Sequence, residues 1–427
     1  MFSQNGLSLD QAPPISVVFR FFFSGALFGI LAGIFILLFK TTVFNAHSLE
    51  AITLTHTLTL GVMLSFMFAA LFQMLPVIAG VTLQSPKQKA NFVQYPFVLG
   101  VITLLFAFNI STPLLFGLAS LLLGGSILYI AVIMLKNLMA LPNHSSSSKG
   151  ILVTLISLLL VILMAFYLTG TLAGIFTGTY YTEVKEAHYS FGLFGWIALL
   201  IISISFQVIE MFYVTPSYPK LVSRYLPLSL LTLLVVTTIM GFYNSKIWML
   251  SNILLAISLS AYALLTLKRL TQRKRPLTDA TVWFWRMGLG SLILSMLFMI
   301  VSQFKEIAVL QTLSYIFFAS FALSIVFAMF YKIVPFLTWF HLNSQGYFTA
   351  PMMHEVIHPK TAKKHLYIHL STIVTFILSA FIPQIILLAG LLTILSFGWM
   401  AYQIIHAHLL YRKTQETGEK FDMGSMG

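Results

Sequence analysis

The chain has 427 residues, of which 59% are hydrophobic and only 8% charged, against about 25% charged in an ordinary soluble protein. With a mean hydropathy of +0.93, this composition excludes a water-soluble globular enzyme. The absence of cysteine removes disulfides, iron–sulfur clusters, thiolate zinc sites, covalently attached c-type haem and Cys–His nucleophiles.

The polar segment Met1–Pro14 is followed by an apolar run without a small-residue cleavage site, so no removable signal peptide is expected. Apolar blocks long enough to cross a bilayer, roughly 20 residues each, then fill the chain. They are expected at about Ile15–Phe39, Ala51–Val81, Phe92–Phe108, Pro113–Leu135, Ile151–Gly178 and His188–Thr215. The series continues with Leu226–Phe242, Ile247–Leu267, Val282–Val301, Ile307–Trp339, Leu366–Phe381 and Pro383–Leu409. The predicted fold is therefore all-α and polytopic, a single domain of twelve transmembrane helices over residues 1–427 with both termini inside. Charge tests this count. Of the 24 Lys and Arg residues, only Lys40, Lys185, Lys246 and Lys305 fall on the outer side and the remaining twenty fall inside, as the positive-inside rule requires. The net charge of +13 is thus a topological signal rather than a nucleic-acid footprint. The basic string from Lys268 to Arg275 reads as an inner loop in contact with anionic lipid. The bilayer is the expected partner, and a bacterial-type inner membrane the expected location.

A weak internal repeat supports the count. Phe72-Gln73-Met74-Leu75-Pro76 closes the second span, Phe206-Gln207-Val208-Ile209-Glu210 the sixth, and Phe330-Tyr331-Lys332-Ile333-Val334-Pro335 the tenth, at spacings of 134 and 124 residues. Three four-helix units, at about residues 15–136, 151–267 and 282–409, would place spans two, six and ten around a pseudo-threefold axis.

Among the eleven histidines, His56 and His188 stand out as lying within apolar helices near the outer boundary, on two of these inner spans. His56 lies roughly 9 Å below Glu50 along its helix, and His188 opens its span two residues after Glu186. Two imidazoles at similar depth would bind a haem iron from both sides, or a copper ion. On the second span His56, Leu60, Met63, Met67, Ala70 and Met74 share a face, and polarizable thioethers pack well on a flat ring. On the sixth, Gly192 and Gly195 share the face of His188 and would leave space beside the ring. Met and Gly are equally common as packing residues in membrane helices, and a His–Met–Met–Met stripe also suits Cu(I); haem b, copper and simple packing all remain open on these residues. Gln73, Gln207, Glu210 and Lys332 form a candidate polar path, with Glu210 and Lys332 at similar depth and able to neutralise each other, or else snorkelling separately to the headgroups.

His354-Glu355-Val356-Ile357-His358 matches the H-E-x-x-H zincin pattern, but Pro351 and Pro359 bracket it. Solvated loop histidines are the simpler expectation, with His365 or His369 the nearest conceivable third ligand. No phosphate-binding loop, nucleophile elbow or Rossmann fingerprint is present, so ATP-driven transport is unsupported.

The string His56-Thr57-Leu58-Thr59-Leu60-Gly61 through Gln73-Met74-Leu75-Pro76-Val77-Ile78-Ala79-Gly80 resembles the second helix of haem–copper oxidase catalytic subunits. That family also has twelve helices, inner termini and a pseudo-threefold plan. His188-Tyr189-Ser190-Phe191-Gly192-Leu193-Phe194-Gly195-Trp196 is similar to segments of divergent oxidase-like proteins, and the NnrS family, linked to nitric-oxide stress, is a comparable relative. The resemblance implies a low-spin haem ligand at His56 and a ligand at His188. The seventh span has no histidine and the tenth none before His341, so a complete oxygen-reduction site cannot be assembled. The expectation is a non-oxygen-reducing haem- or metal-binding protein, not an enzyme on this evidence. It would serve electron transfer, nitric-oxide or metal stress, or oxidase assembly with a partner the sequence does not name. The alternative from a different class is a transporter of a small solute or copper.

Overall fold

A computed structural model describes residues 13–81, 83–243, 245–275, 278–305 and 307–420. Among the described residues twelve long helices follow one another: α1 Ile15–Phe39, α2 Leu49–Met74, α3 Pro86–Ile110, α4 Pro113–Met139, α5 Ser146–Leu172 and α6 Tyr181–Tyr213. They continue as α7 Lys220–Tyr243, α8 Ser245–Thr271, α9 Ala280–Ser302, α10 Ala308–Ser344, α11 Pro359–Ser379 and α12 Ile386–Thr417. Among the described residues the only β pairing is an isolated bridge between Tyr347 and Lys420. All but α11 are long and apolar enough to cross a membrane; the exception carries Lys360, Lys363 and Lys364 in its first turns and two histidines beyond them. The end of the bundle where α1 starts is called the basic end below, and the opposite one the far end.

Polar caps start several helices where the sequence places Ser or Asp before an apolar run. Ser48, Ser145 and Asp279 each accept a backbone N–H from the first turn of α2, α5 and α9, satisfying donors that hydrocarbon could not. The histidine-capped Pro359 starts α11 seven residues before the expected Leu366, and Pro at the first helical position is compatible with that start. The break expected at Ile382–Pro383 is present, as extended backbone at Ile382 followed by a short 3-10 turn.

Burial separates inner from outer helices. The most apolar stretches of α2, α6 and α10 are 78, 78 and 61% buried, and no other helix exceeds 50%. These three helices, with Phe22 of α1 and Trp285 of α9, enclose an apolar cavity of about 70 Å³. Small residues let the surrounding helices close in. A Cβ added at Gly29 of α1 would collide with the Phe397 ring of α12. One added at Gly33 would lie 2.9 Å from the backbone oxygen of Gly390 and 2.9 Å from the Ile394 nitrogen. Between α9 and α10, the Ser295 hydroxyl donates to the Ser314 carbonyl (2.8 Å) and the Ser314 hydroxyl to the Ser295 carbonyl (3.0 Å). The pair replaces lost water contacts reciprocally.

Because fixed backbone atoms of Gly390 and Ile394, as well as the Ile394 side chain at 2.6 Å, meet the added methyl at Gly33, Gly33→Leu is expected to destabilise the solubilised protein by about 1–3 kcal/mol. A thermal melt monitored by helical circular dichroism checks this; an unchanged midpoint would show that the α1–α12 crossing is not close-packed.

Candidate functional site

The two histidines expected to meet do so. His56 lies seven residues into α2 and His188 seven residues into α6, both measured from the far end. Their ring centroids are 6.4 Å apart and their planes differ by 13°. Each ring is held by a carbonyl: His56 Nδ1 lies 2.9 Å from Ile52 O on its own helix, and His188 Nδ1 lies 3.3 Å from Val161 O on α5. A carbonyl only accepts, so both Nδ1 atoms carry the proton and each neutral ring keeps its lone pair on Nε2. Both rings are half-buried, and among the described residues no hydrogen bond reaches either Nε2. A backbone-anchored Nδ1–H with a bare Nε2 is the arrangement of a metal-ligating imidazole. Phe108 of α3 leans on His56 with centroids 5.0 Å apart and is itself braced by Phe116.

The helices change pitch at this level. Thr57–Leu64, immediately after His56, and Phe191–Ala198, three residues after His188, are eight-residue π-helical segments. Such segments are rare and frequently mark functional sites. Nothing in residue type or periodicity flags them; a hydrophobic face read at constant 3.6-residue pitch drifts across them.

The drift redistributes the expected site residues. Gly192 has open space where a side chain would sit, as expected beside His188. Gly195 does not: the Ser157 hydroxyl of α5 fills that position, so it is a helix-packing glycine. Met63 is 3% exposed, whereas Met67, Ala70 and Met74 line the central cavity together with Met329 of α10. That is roughly 16 Å along α2 from His56 for Met67.

The expected Glu210–Lys332 pairing is not made. Lys332 Nζ lies 2.6 Å from Asp279 Oδ2, and Glu210 Oε1 accepts the Tyr218 backbone N–H at 3.2 Å. Asp279 wins because, as the cap of α9, it is already anchored beside the basic end of α10, with Thr281 Oγ1 donating to its Oδ1 at 2.6 Å. Tyr213 joins this group through its hydroxyl to Thr281 (3.0 Å) and its ring beneath Lys332. Gln207 is half-buried. Gln73 is sealed at 2% exposure, with neither amide atom partnered among the described residues. These four residues make no continuous polar path.

His365 and His369 also depart from expectation. Read from sequence only as inner-side histidines at the start of the eleventh span, they are 0 and 3% exposed on one face of α11. His365 Nδ1 meets the Tyr331 hydroxyl (2.9 Å) and its Nε2 the Ser396 hydroxyl (2.7 Å), while His369 Nε2 meets Ser324 (2.9 Å). Phe327 packs on both rings. Their i,i+4 spacing on an amphipathic helix is the signal that could have found them. The H-E-x-x-H segment, in contrast, is no zincin helix. The helical turn Met353–Val356 ends at extended Ile357, Glu355 turns back to the Met352 N–H (2.7 Å), and His358 caps α11. Among the described residues no group of three or more His, Asp or Glu side chains is placed to hold a metal ion.

No protein-family model and no curated protein matches the chain.

Outside the spans, burial works to raise the Asp279 carboxyl, but the Lys332 ammonium and the hydrogen bonds from Lys332, Thr281 and Val282 hold it below its ordinary value. The stabilisation this gives is complete above the unfolded carboxyl value of about 4 and is lost as pH falls through the lower folded value. The melting midpoint is therefore expected to drop on acidification below that value in the wild type and to drop less in Asp279→Asn. Parallel pH profiles would show the pair to contribute nothing.

Proposed function

We propose that this chain is a twelve-span membrane protein that holds a metal-centred group, in the first instance b-type haem, between His56 and His188, and that it serves electron transfer. In this reading α11 is the twelfth span: its 21 residues reach about 31 Å, enough for a hydrocarbon core of about 30 Å. Both termini then lie at the basic end, which faces inward in a bacterial-type inner membrane, and α2, α6 and α10 are the inner helices of a pseudo-threefold plan.

The observation that carries the proposal is the pair of parallel rings with bare Nε2 atoms. Two imidazoles donating to one metal from opposite sides, at about 2 Å each, bring their ring centroids to about 6 Å, and the observed separation is 6.4 Å. Holding two half-buried imidazoles within membrane helices without partners for Nε2 is costly, and a shared metal would satisfy both nitrogens at once. The open space at Gly192 and the Phe108 ring fit a flat, apolar macrocycle better than a hydrated ion. Bound there, haem iron would supply reversible one-electron chemistry. Ile52 O and Val161 O fix the tautomer and orientation of each ligand and raise its basicity. His56 and His188 would both be engaged in holding the group, which supports electron transfer, alone or with a partner subunit in stress response or oxidase assembly, over oxygen reduction.

A second reading is favoured by a separate feature. Met67, Met74 and Met329 line one wholly apolar central cavity, and thioether sulfur suits Cu(I). A copper or small-solute transporter would use that space rather than the histidine pair.

Purified protein from haem-supplied cells is expected to show a b-type Soret band that His56→Ala and His188→Ala each abolish. Gly192→Leu should weaken the band by filling the open space. A colourless wild type with intact helical content would end the haem proposal. Copper uptake into vesicles that Met67→Leu or Met329→Leu abolishes, while His56→Ala does not, would establish the second reading in its place.

A further inference from the structure

At the basic end, α5 and α7 start side by side, and the space between them is lined in an unusual way. We infer that it is a binding site for the headgroup of an anionic phospholipid, formed by His144, Lys149 and Arg224. The inference is independent of the metal at the far end and rests only on the membrane-spanning fold.

The cavity measures about 210 Å³. Its polar rim carries the Lys149 ammonium, the Arg224 guanidinium and the His144 imidazole, and no acidic side chain lines it. Lys149 and Arg224 are exposed and make no ion pair among the described residues. The His144 Nδ1 atom is buried and unpartnered among the described residues. A phosphodiester would answer all three groups, as a point charge for Lys149, a planar fork for Arg224 and a hydrogen-bond partner for His144. The mouth is fixed rather than splayed. Ser145 caps the first turn of α5 (Ser148 N–H to Ser145 Oγ, 3.0 Å), and Ser146 bonds across to Ser223 of α7 at 3.3 Å. The cap also directs the positive end of α5 toward this rim.

The lower wall decides between a lipid and a free anion. Gly150, Leu152 and Val153 of α5 and Pro227 and Leu228 of α7 complete the lining, and they continue into the apolar stretches of both helices. A free phosphate would use only the rim, whereas a phospholipid places its phosphate there and runs its acyl chains down the apolar wall. Basic pockets between transmembrane helices at a leaflet surface bind lipid headgroups by this combination.

The test uses the full chain in detergent, with phosphatidylglycerol and chain-matched phosphatidylcholine as probes and native mass spectrometry as the readout. Phosphatidylglycerol is expected to be retained in preference to phosphatidylcholine. The K149Q/R224Q variant should weaken that retention about tenfold or more, and H144Q should weaken it less. The control K136Q, an exposed lysine at the same end but outside the lining, should leave retention unchanged. Unchanged retention in both K149Q/R224Q and H144Q would overturn the inference. So would equal retention of the two lipids or an equal loss in K136Q. Complete displacement of phosphatidylglycerol by inorganic phosphate would overturn it in favour of an anion site.

Discussion

Hydrocarbon offers no hydrogen-bond partner, so each polar group within the span must be answered by the protein itself. Most of this bundle obeys that constraint in small local steps. Serine and threonine hydroxyls return to carbonyls one turn back, as Thr57 does to Thr53 and Ser203 to Leu199. Serines between α9 and α10 exchange bonds in pairs, and His365 is bonded at both nitrogens. Against this background the His56–His188 pair is distinct. One nitrogen of each ring is answered by backbone and the other has no hydrogen-bond partner among the described residues, which is why the pair, and not the better-buried histidines of α11, reads as a ligand set.

The same constraint separates what the amino-acid sequence discloses from what it conceals. Of the twelve spans expected from the apolar blocks, eleven correspond to helices long and apolar enough to cross a membrane, and the break before Pro383 follows from proline chemistry. The approach of His56 and His188 is legible because both lie at the same depth on helices carrying the same repeated string. Residues whose role depends on a neighbour from a distant helix are not legible in this way. Asp279 stands outside the apolar run of α9, and nothing local shows that it, rather than Glu210, receives Lys332. His365 and His369 follow three lysines, so hydropathy alone places them at the membrane edge, while their helix in fact turns that face into α9, α10 and α12.

The conflict over α2 has a single physical cause. A stripe of His56, Met63, Met67 and Met74 is continuous only at constant helical pitch. The π segment at Thr57–Leu64 widens the turn just below the histidine, so the upper and lower parts of the stripe serve different places: His56 meets His188, and Met67 and Met74 reach the central cavity. The mirrored segment on α6 lets Gly195 turn toward Ser157 while Gly192 stays open. Two chemically distinct regions, a histidine pair at the far end and a thioether-lined void at the middle, are thereby carried on one pair of helices.

The Gly33–Gly390 contact joins α1 to α12, the first helix of the chain to the last. During synthesis, the glycine face of α1 is made long before its mate on α12 exists, and lipid must cover it in the interval. The α1–α12 contact is thus the latest to form among the helices described. For α1, α12 acts as a keystone, taking over a face that lipid had to shield until it arrived.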